Sequence, residues 1–262
     1  MKLKSKLLLA LLATSSAAFA QTAPAAPEVT YNVGVVSQYR YRGLAQGKGQ
    51  PALQGGVDYA NAGGYYLGAW ASTIQWIKDS STANTSYGGP TELDLYGGYK
   101  FESSGVAYDI GFLRYQYTGN NLSKTPGGVS DAQLNNANTN EVYAAGTVGA
   151  YTFKYSYALS TLFGNIGSKG SDYFDLTANY DMGSGITLSP HLGRQIVQGP
   201  GNGSGPLSYT DASLTVAKDL GDGLSATASA IVTNAKSGAF NSNSTTYATG
   251  KSAVVLGLKY GF

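Results

Sequence analysis

From Val29 onward the chain alternates between apolar and polar positions. Val29, Tyr31, Val33, Val35, Tyr39 and Tyr41 share one parity, while Thr30, Asn32, Gly34, Gln38, Arg40 and Arg42 share the other. A period of two residues predicts a strand with one apolar and one polar face. The pattern then recurs in segments of about ten residues, separated by clusters of Gly, Ser, Asn and Asp. Leu53, Val57 and Tyr59 oppose Gln54, Gly56 and Asp58 in the second segment. Leu93, Leu95, Tyr99 and Phe101 oppose Glu92, Asp94, Tyr96 and Lys100 in the fourth. The cleanest is the seventh, where Tyr151, Phe153, Tyr155, Tyr157 and Leu159 alternate with Thr152, Lys154, Ser156, Ala158 and Ser160. Two segments carry irregularities. Leu113 and Arg114 break the alternation in the fifth, which predicts a bulge there, and Pro190 removes a ladder donor from the ninth. Twelve segments result, and the connections between them alternate long and short, beginning long at 43–50 and short at 61–64.

Twelve strands with alternating connections predict an all-β, antiparallel up-and-down barrel that spans a membrane. In such barrels long loops lie outside, short turns lie on the periplasmic side, and an even strand number leaves both termini inside. No chain can leave backbone edges unpaired in hydrocarbon, so the sheet must close. A soluble sandwich or barrel would also alternate, but its polar parity would carry more Lys and Glu. This chain has 36 Gly, 21 Tyr and only 12% charged residues, a composition poorly suited to a water-facing surface. Aromatic residues on the apolar parity fall into two belts. Tyr59, Tyr65, Tyr99, Phe101, Tyr108, Tyr151, Tyr180, Tyr260 and Phe262 lie at the turn ends, and Tyr39, Tyr41, Tyr157 and Phe174 at the loop ends. A backbone radius of roughly 12 Å follows for twelve tilted strands, with a free radius near 6 Å once side chains are added. The long segment from Thr118 to Thr139 is the candidate for an inward-folded constriction, with a disordered external loop as the equal alternative.

The first residues fit a cleaved secretory signal. Lys2, Lys4 and Lys6 precede the apolar run Leu7 to Leu12, and Ala18-Phe19-Ala20 forms an Ala-x-Ala site. Residues 1–20 are therefore read as signal peptide, 21–28 as a short periplasmic tail and 29–262 as the barrel. Cleavage takes away three lysines and no acidic residue, so a net charge of +2 becomes −1. That leaves no basic footprint for nucleic acid. No cysteine is present, which excludes a disulfide framework and a thiolate metal site, and no motif calls for a cofactor or a metal.

The polar parity collects the candidate pore-lining residues: Arg40 and Arg42 near the outer mouth, then Asp58, Glu92, Asp94, Asp109, Glu141, Asp175 and Asp211, with Lys154 and His191 among them. The two arginines facing acids across a lumen would set up a transverse field that orients polar solutes. The alternative is that the same groups pair with one another and fill a hydrated interior. An outer-membrane hydrolase is a further reading, but the single histidine, His191, has inward parity, whereas a lipase needs its Ser-His pair on the lipid side. Leu256, Leu258, Tyr260 and Phe262 end the chain with apolar residues at every second position and a terminal aromatic, resembling the signal by which barrel-assembly machinery recognises its clients.

Ser37-Gln38-Tyr39-Arg40-Tyr41-Arg42-Gly43, the run Pro51 to Tyr59, Gly64 to Ser72 and Glu92 to Tyr99 resemble the opening of the TorF-type porin family. The resemblance implies an outer-membrane pore and names no solute. The expected function is therefore a porin or small-solute channel with a polar lumen in a Gram-negative outer membrane, not an enzyme. Its partners would be membrane lipid and lipopolysaccharide, the assembly machinery and small solutes. A non-conducting structural or receptor barrel is the alternative.

Overall fold

The computed structural model describes residues 27–79, 88–121, 136–199, 207–236 and 249–262. The signal segment, nearly all of the 21–28 tail and the middle of the Thr118 to Thr139 connection lie outside the described residues. Twelve long strands form the wall: β1 Glu28–Val36, β2 Ala52–Ala60, β3 Tyr65–Thr73, β4 Thr91–Ser103, β5 Val106–Thr118, β6 Thr139–Val148, β7 Tyr151–Ala158, β8 Asp172–Ala178 with its continuation Tyr180–Asp181, β9 Ile186–Ile196, β10 Tyr209–Gly221, β11 Leu224–Thr233 and β12 Ala253–Gly261. Each pairs antiparallel with its sequence neighbours, and β1 pairs β12, so the sheet closes. Following register partners once around from Glu28, through Ala60, Tyr66, Gly98 and onward, returns to β1 about 16 residues along, which corresponds to a tilt of about 45° and a backbone radius of roughly 12 Å.

The parity read from the sequence divides outside from inside. Val33, Leu53, Leu67, Ile110, Phe153, Leu176, Leu214 and Leu256 are exposed on the outer face, an apolar band that water would not tolerate and lipid requires. Near the turn end Phe101 stacks on Tyr108 and Tyr260 on Phe262, and Tyr65 meets Tyr99 at a tilt, forming the inner belt. Turn chemistry explains the short connections: Ser104 and Gly105, and Asp222 and Gly223, take positive φ, the geometry of two-residue turns whose twist matches the strands. Among the described residues no helix is long and apolar enough to cross a membrane.

Three expectations need correction. The first strand does not run to Arg42; it ends at Val36, and the chain turns inward into a hairpin, Arg40–Tyr41 against Leu44–Ala45. Tyr39 and Tyr41 therefore belong to the interior and not to the outer aromatic belt; Tyr39 is buried. The bulge at Leu113 and Arg114 is absent, since β5 pairs β4 and β6 in unbroken register. Leu113 keeps inward parity because the interior there is apolar: it packs with Tyr115, Tyr117, Val36, Ile231 and Val255 against the hairpin's Tyr39. Nor is the outer mouth free, because the hairpin lies within it.

Pro190 is accommodated by its neighbour. β9 stays in register with β10 through Pro190 and Leu214, while on the other side the ladder to β8 stops after Thr177 and His191 and resumes at Tyr180 and Leu188. The missing proline N–H accounts for that gap. Ser189 Oγ and Asn179 Oδ1, 2.7 Å apart, bridge it.

Candidate functional site

Every candidate lining residue is placed on the inner wall or the hairpin, and they fall into three groups. At the loop end the hairpin turns on Arg42 and Gly43, with φ of 44° and 78°. Glycine is needed at the second position, because a Cβ on Gly43 would come within 2.6 Å of the Asp211 Cβ on β10. That close approach seats the hairpin against the wall. Arg42 then reaches across to β6 and donates to both carboxylate oxygens of Glu141, at 3.0 and 2.7 Å, and to Gln195 Oε1 at 2.9 Å. The Tyr173 ring lies 4.2 Å from its guanidinium carbon. Burial works against the charge on Arg42, yet the adjacent Glu141 carboxylate holds its pKa above the ordinary guanidinium value.

Arg40, only 1% exposed, does something different. It donates to Gln38 Oε1 and to the backbone carbonyls of Gly43, Thr249 and Lys251, so it ties the hairpin to the chain entering β12. Tyr39 donates to Glu92 Oε1 at 2.8 Å; burial first, then the negative charge of Glu92, pushes its own pKa up, so the hydroxyl keeps its proton. Tyr41 meets the hydroxyl of Tyr115. Asp94, one inward position below Glu92, has an Oδ1 without a partner among the described residues.

Nearer the turn end a tyrosine and glycine layer occupies one side of the lumen. Tyr66-x-Gly68 on β3 runs against Tyr96-x-Gly98 on β4, so each ring faces the glycine of the other strand. A Cβ on Gly68 would sit 2.3 Å from the Tyr96 ring, and one on Gly98 would sit 2.5 Å from the Tyr66 hydroxyl. Gly98 faces Gly111 on β5, and Gly111 faces Tyr143 on β6. Two tyrosines thus lean toward each other over two glycines until their hydroxyls meet. Tyr66 also donates to Asp109 Oδ1 at 2.6 Å, and Tyr96 to Asp58 Oδ1 at 2.5 Å. The high Gly and Tyr content is in part this device: missing side chains make room for flat rings.

The third group lies on β8, β9 and β10. His191 Nε2 is 3.0 Å from Asp211 Oδ1, and its Nδ1 is 3.4 Å from Asp175 Oδ2 and 3.2 Å from Thr177 Oγ1. Tyr173 donates to Asp211 Oδ2 at 3.1 Å. Among the described residues this imidazole, held between two carboxylates on the inner wall, has no serine bonded to it, so this geometry does not build the hydrolase pair. Among the described residues no group of His, Cys, Asp and Glu is arranged to hold a metal ion.

Parity located the charged residues but missed their partners, since Tyr66, Tyr96, Tyr143, Tyr173, Thr177 and Gln195 carry most of the hydrogen bonds. The reciprocal Tyr-x-Gly spacing was the available signal. Leu256, Leu258, Tyr260 and Phe262 all face outward and are exposed.

Solved structures of similar fold include the KdgM porin, with a TM-score of 0.50 at 9% identity over 89% of this chain and 98% of that one. The NanC porin gives 0.49 at 9% identity over 90% and 99%, and the COG4313 outer membrane channel from Pseudomonas putida F1 gives 0.48 at 13% over 93% and 97%. At such identities the likeness concerns the fold alone. No curated protein matches the sequence. The model of one family matches residues 20–262, and the chain belongs to that family, Gcw_chp, described as bacterial protein of unknown function.

Proposed function

We propose that this protein is a narrow outer-membrane channel of a Gram-negative bacterium, passing small polar solutes. The observation that carries the reading is the inner wall. Charged and hydroxyl side chains face the lumen from Asp58 and Lys100 near the turn end to Glu92 and Glu141 near the loop end, inside an outer face whose exposed band is mainly apolar. A scaffold barrel needs only the outer band, and buried carboxylates cost stability unless paired. The porin names of proteins with a similar fold and the TorF-type run around Tyr39 to Gly43 support the same reading.

Arg40, Arg42, Asp58, Glu92, Asp94, Asp109, Glu141, Asp175 and His191 are the proposed lining. The field across the lumen is weaker than opposed, separated charges would give, because Arg42 and Glu141 neutralise each other in contact. The proposal assigns no enzymatic step and no cofactor. Lipid and lipopolysaccharide surround the wall, and the outward C-terminal strand addresses the assembly machinery. The hairpin in the outer mouth favours a second reading, a non-conducting structural or receptor barrel. Planar-bilayer recording of the refolded mature protein decides: small stable current steps are expected, and silence from a heat-modifiable, protease-resistant barrel would overturn the channel.

A further inference from the structure

In the middle of the lumen two opposite charges lie near each other without joining. Lys154 on β7 is 5% exposed, and among the described residues no acceptor or carboxylate bonds its Nζ; it rests on the face of Tyr143, 3.9 Å from the ring centroid. In register Lys154 faces Ala145 on β6, and Ala145 faces Asp109 on β5. Asp109 is 4% exposed, accepts from the Tyr66 hydroxyl at Oδ1 and, among the described residues, has no hydrogen-bond partner for Oδ2. Across two strand spacings the backbones stand about 10 Å apart, with Ala145 on the strand between them.

A lysine and an aspartate buried at this distance would ordinarily meet, since each is costly alone. Here the tyrosines hold them apart: Tyr143 draws the ammonium and Tyr66 draws the carboxylate, and the two hydroxyls meet over Gly98 and Gly111. On its other side Lys154 faces Asp175 in register, but that carboxylate belongs to the imidazole group: its Oδ1 accepts from Thr177 and its Oδ2, which makes no hydrogen bond among the described residues, lies 3.4 Å from His191 Nδ1. What is left is an ammonium with donors to give and a buried carboxylate oxygen without a hydrogen bond, on either side of Ala145.

We propose that Lys154 and Asp109 form a lumen site for a small zwitterion of the α-amino-acid type, its carboxylate on Lys154 and its ammonium on Asp109 Oδ2. The proposal deepens the channel reading and rests on it for access, because the site is reached along the lumen. Calorimetric titration of the folded, detergent-solubilised mature barrel with free glycine tests it, with acetate and methylammonium as the two half-ligands. Glycine is expected to bind more tightly than either half-ligand. Lys154→Gln and Asp109→Asn should each weaken it about tenfold or more, with Lys154→Arg restoring much of the loss. Each variant is first shown to keep the heat-modifiable mobility of a folded barrel, and Lys154→Met serves if Lys154→Gln does not fold. Glycine binding unchanged by both substitutions, acetate binding as well as glycine, or no glycine binding in the millimolar range would overturn the site. Bilayer recording separates the two claims: binding without current supports the site and removes the channel, while current without binding removes the site.

Discussion

Arg42→Ala is the perturbation that most directly tests how the outer mouth is held. The substitution removes both bonds to Glu141, the bond to Gln195 and the ring contact with Tyr173. Glu141, buried and facing the lumen, loses its only cation in contact among the described residues and keeps the hydroxyl of Tyr115 at 3.2 Å. Removing one partner of a buried pair costs roughly 3–5 kcal/mol, most of it the uncompensated charge left behind. If that loss falls on the inward position of the hairpin, its equilibrium against an outward position moves by about two powers of ten or more. Conductance per channel should rise in bilayer recordings, and the urea midpoint for loss of the heat-modifiable band should fall. Adding Glu141→Gln removes the stranded charge and should return most of the stability while leaving the mouth open. A variant Arg42→Ala with parental conductance and parental urea midpoint would refute the claim that this pair seats the hairpin.

Other outcomes follow from the wall itself. Gly98→Ala places a methyl 2.4 Å from the Ile110 carbonyl, which cannot move without breaking the ladder, so about 1–3 kcal/mol of destabilisation is expected in urea titration; an unchanged midpoint would contradict the ring-over-glycine packing. Leu256→Lys puts a charge on the exposed apolar face, and should cost roughly 2–4 kcal/mol if it lies near the bilayer centre, whereas the same change at the exposed turn residue Ala62 should cost little; equal effects would argue against the lipid band. Both tryptophans, Trp70 and Trp76, pack with the inner cluster, so lipids brominated in their acyl chains should leave tryptophan emission largely unquenched, and strong quenching would invert the assignment of faces.

Much of this architecture was legible along the chain. A strand that meets lipid on one side and a polar lumen on the other must alternate at every second residue, and a membrane of fixed thickness fixes strand length. Strand number, the facing of each residue and the long-short order of connections are consequences of that local rule. So is the inward placement of Asp58, Glu92, Asp109, Glu141 and His191. Leu113 was legible only as an anomaly, since an apolar residue with inward parity makes sense once the interior beside it is seen to be apolar.

What fills the lumen was decided by closure of the sheet. Parity states that a side chain avoids lipid; it does not say whether water, another wall or a loop stands opposite. Tyr39 and Tyr41 carry the parity of lipid-facing residues, yet after Val36 the chain leaves the wall, and the alternation continues there without its original meaning. Arg42 meets Glu141 and Gln195, 99 and 153 positions away, only because twelve strands bring β6 and β9 around to the hairpin. The same closure sets Lys154 and Asp109 on either side of Ala145. Strand identity was fixed by the solvent on each face, a property each residue carries locally, whereas the contents of the lumen depend on pairings between distant segments that exist only when the barrel is complete.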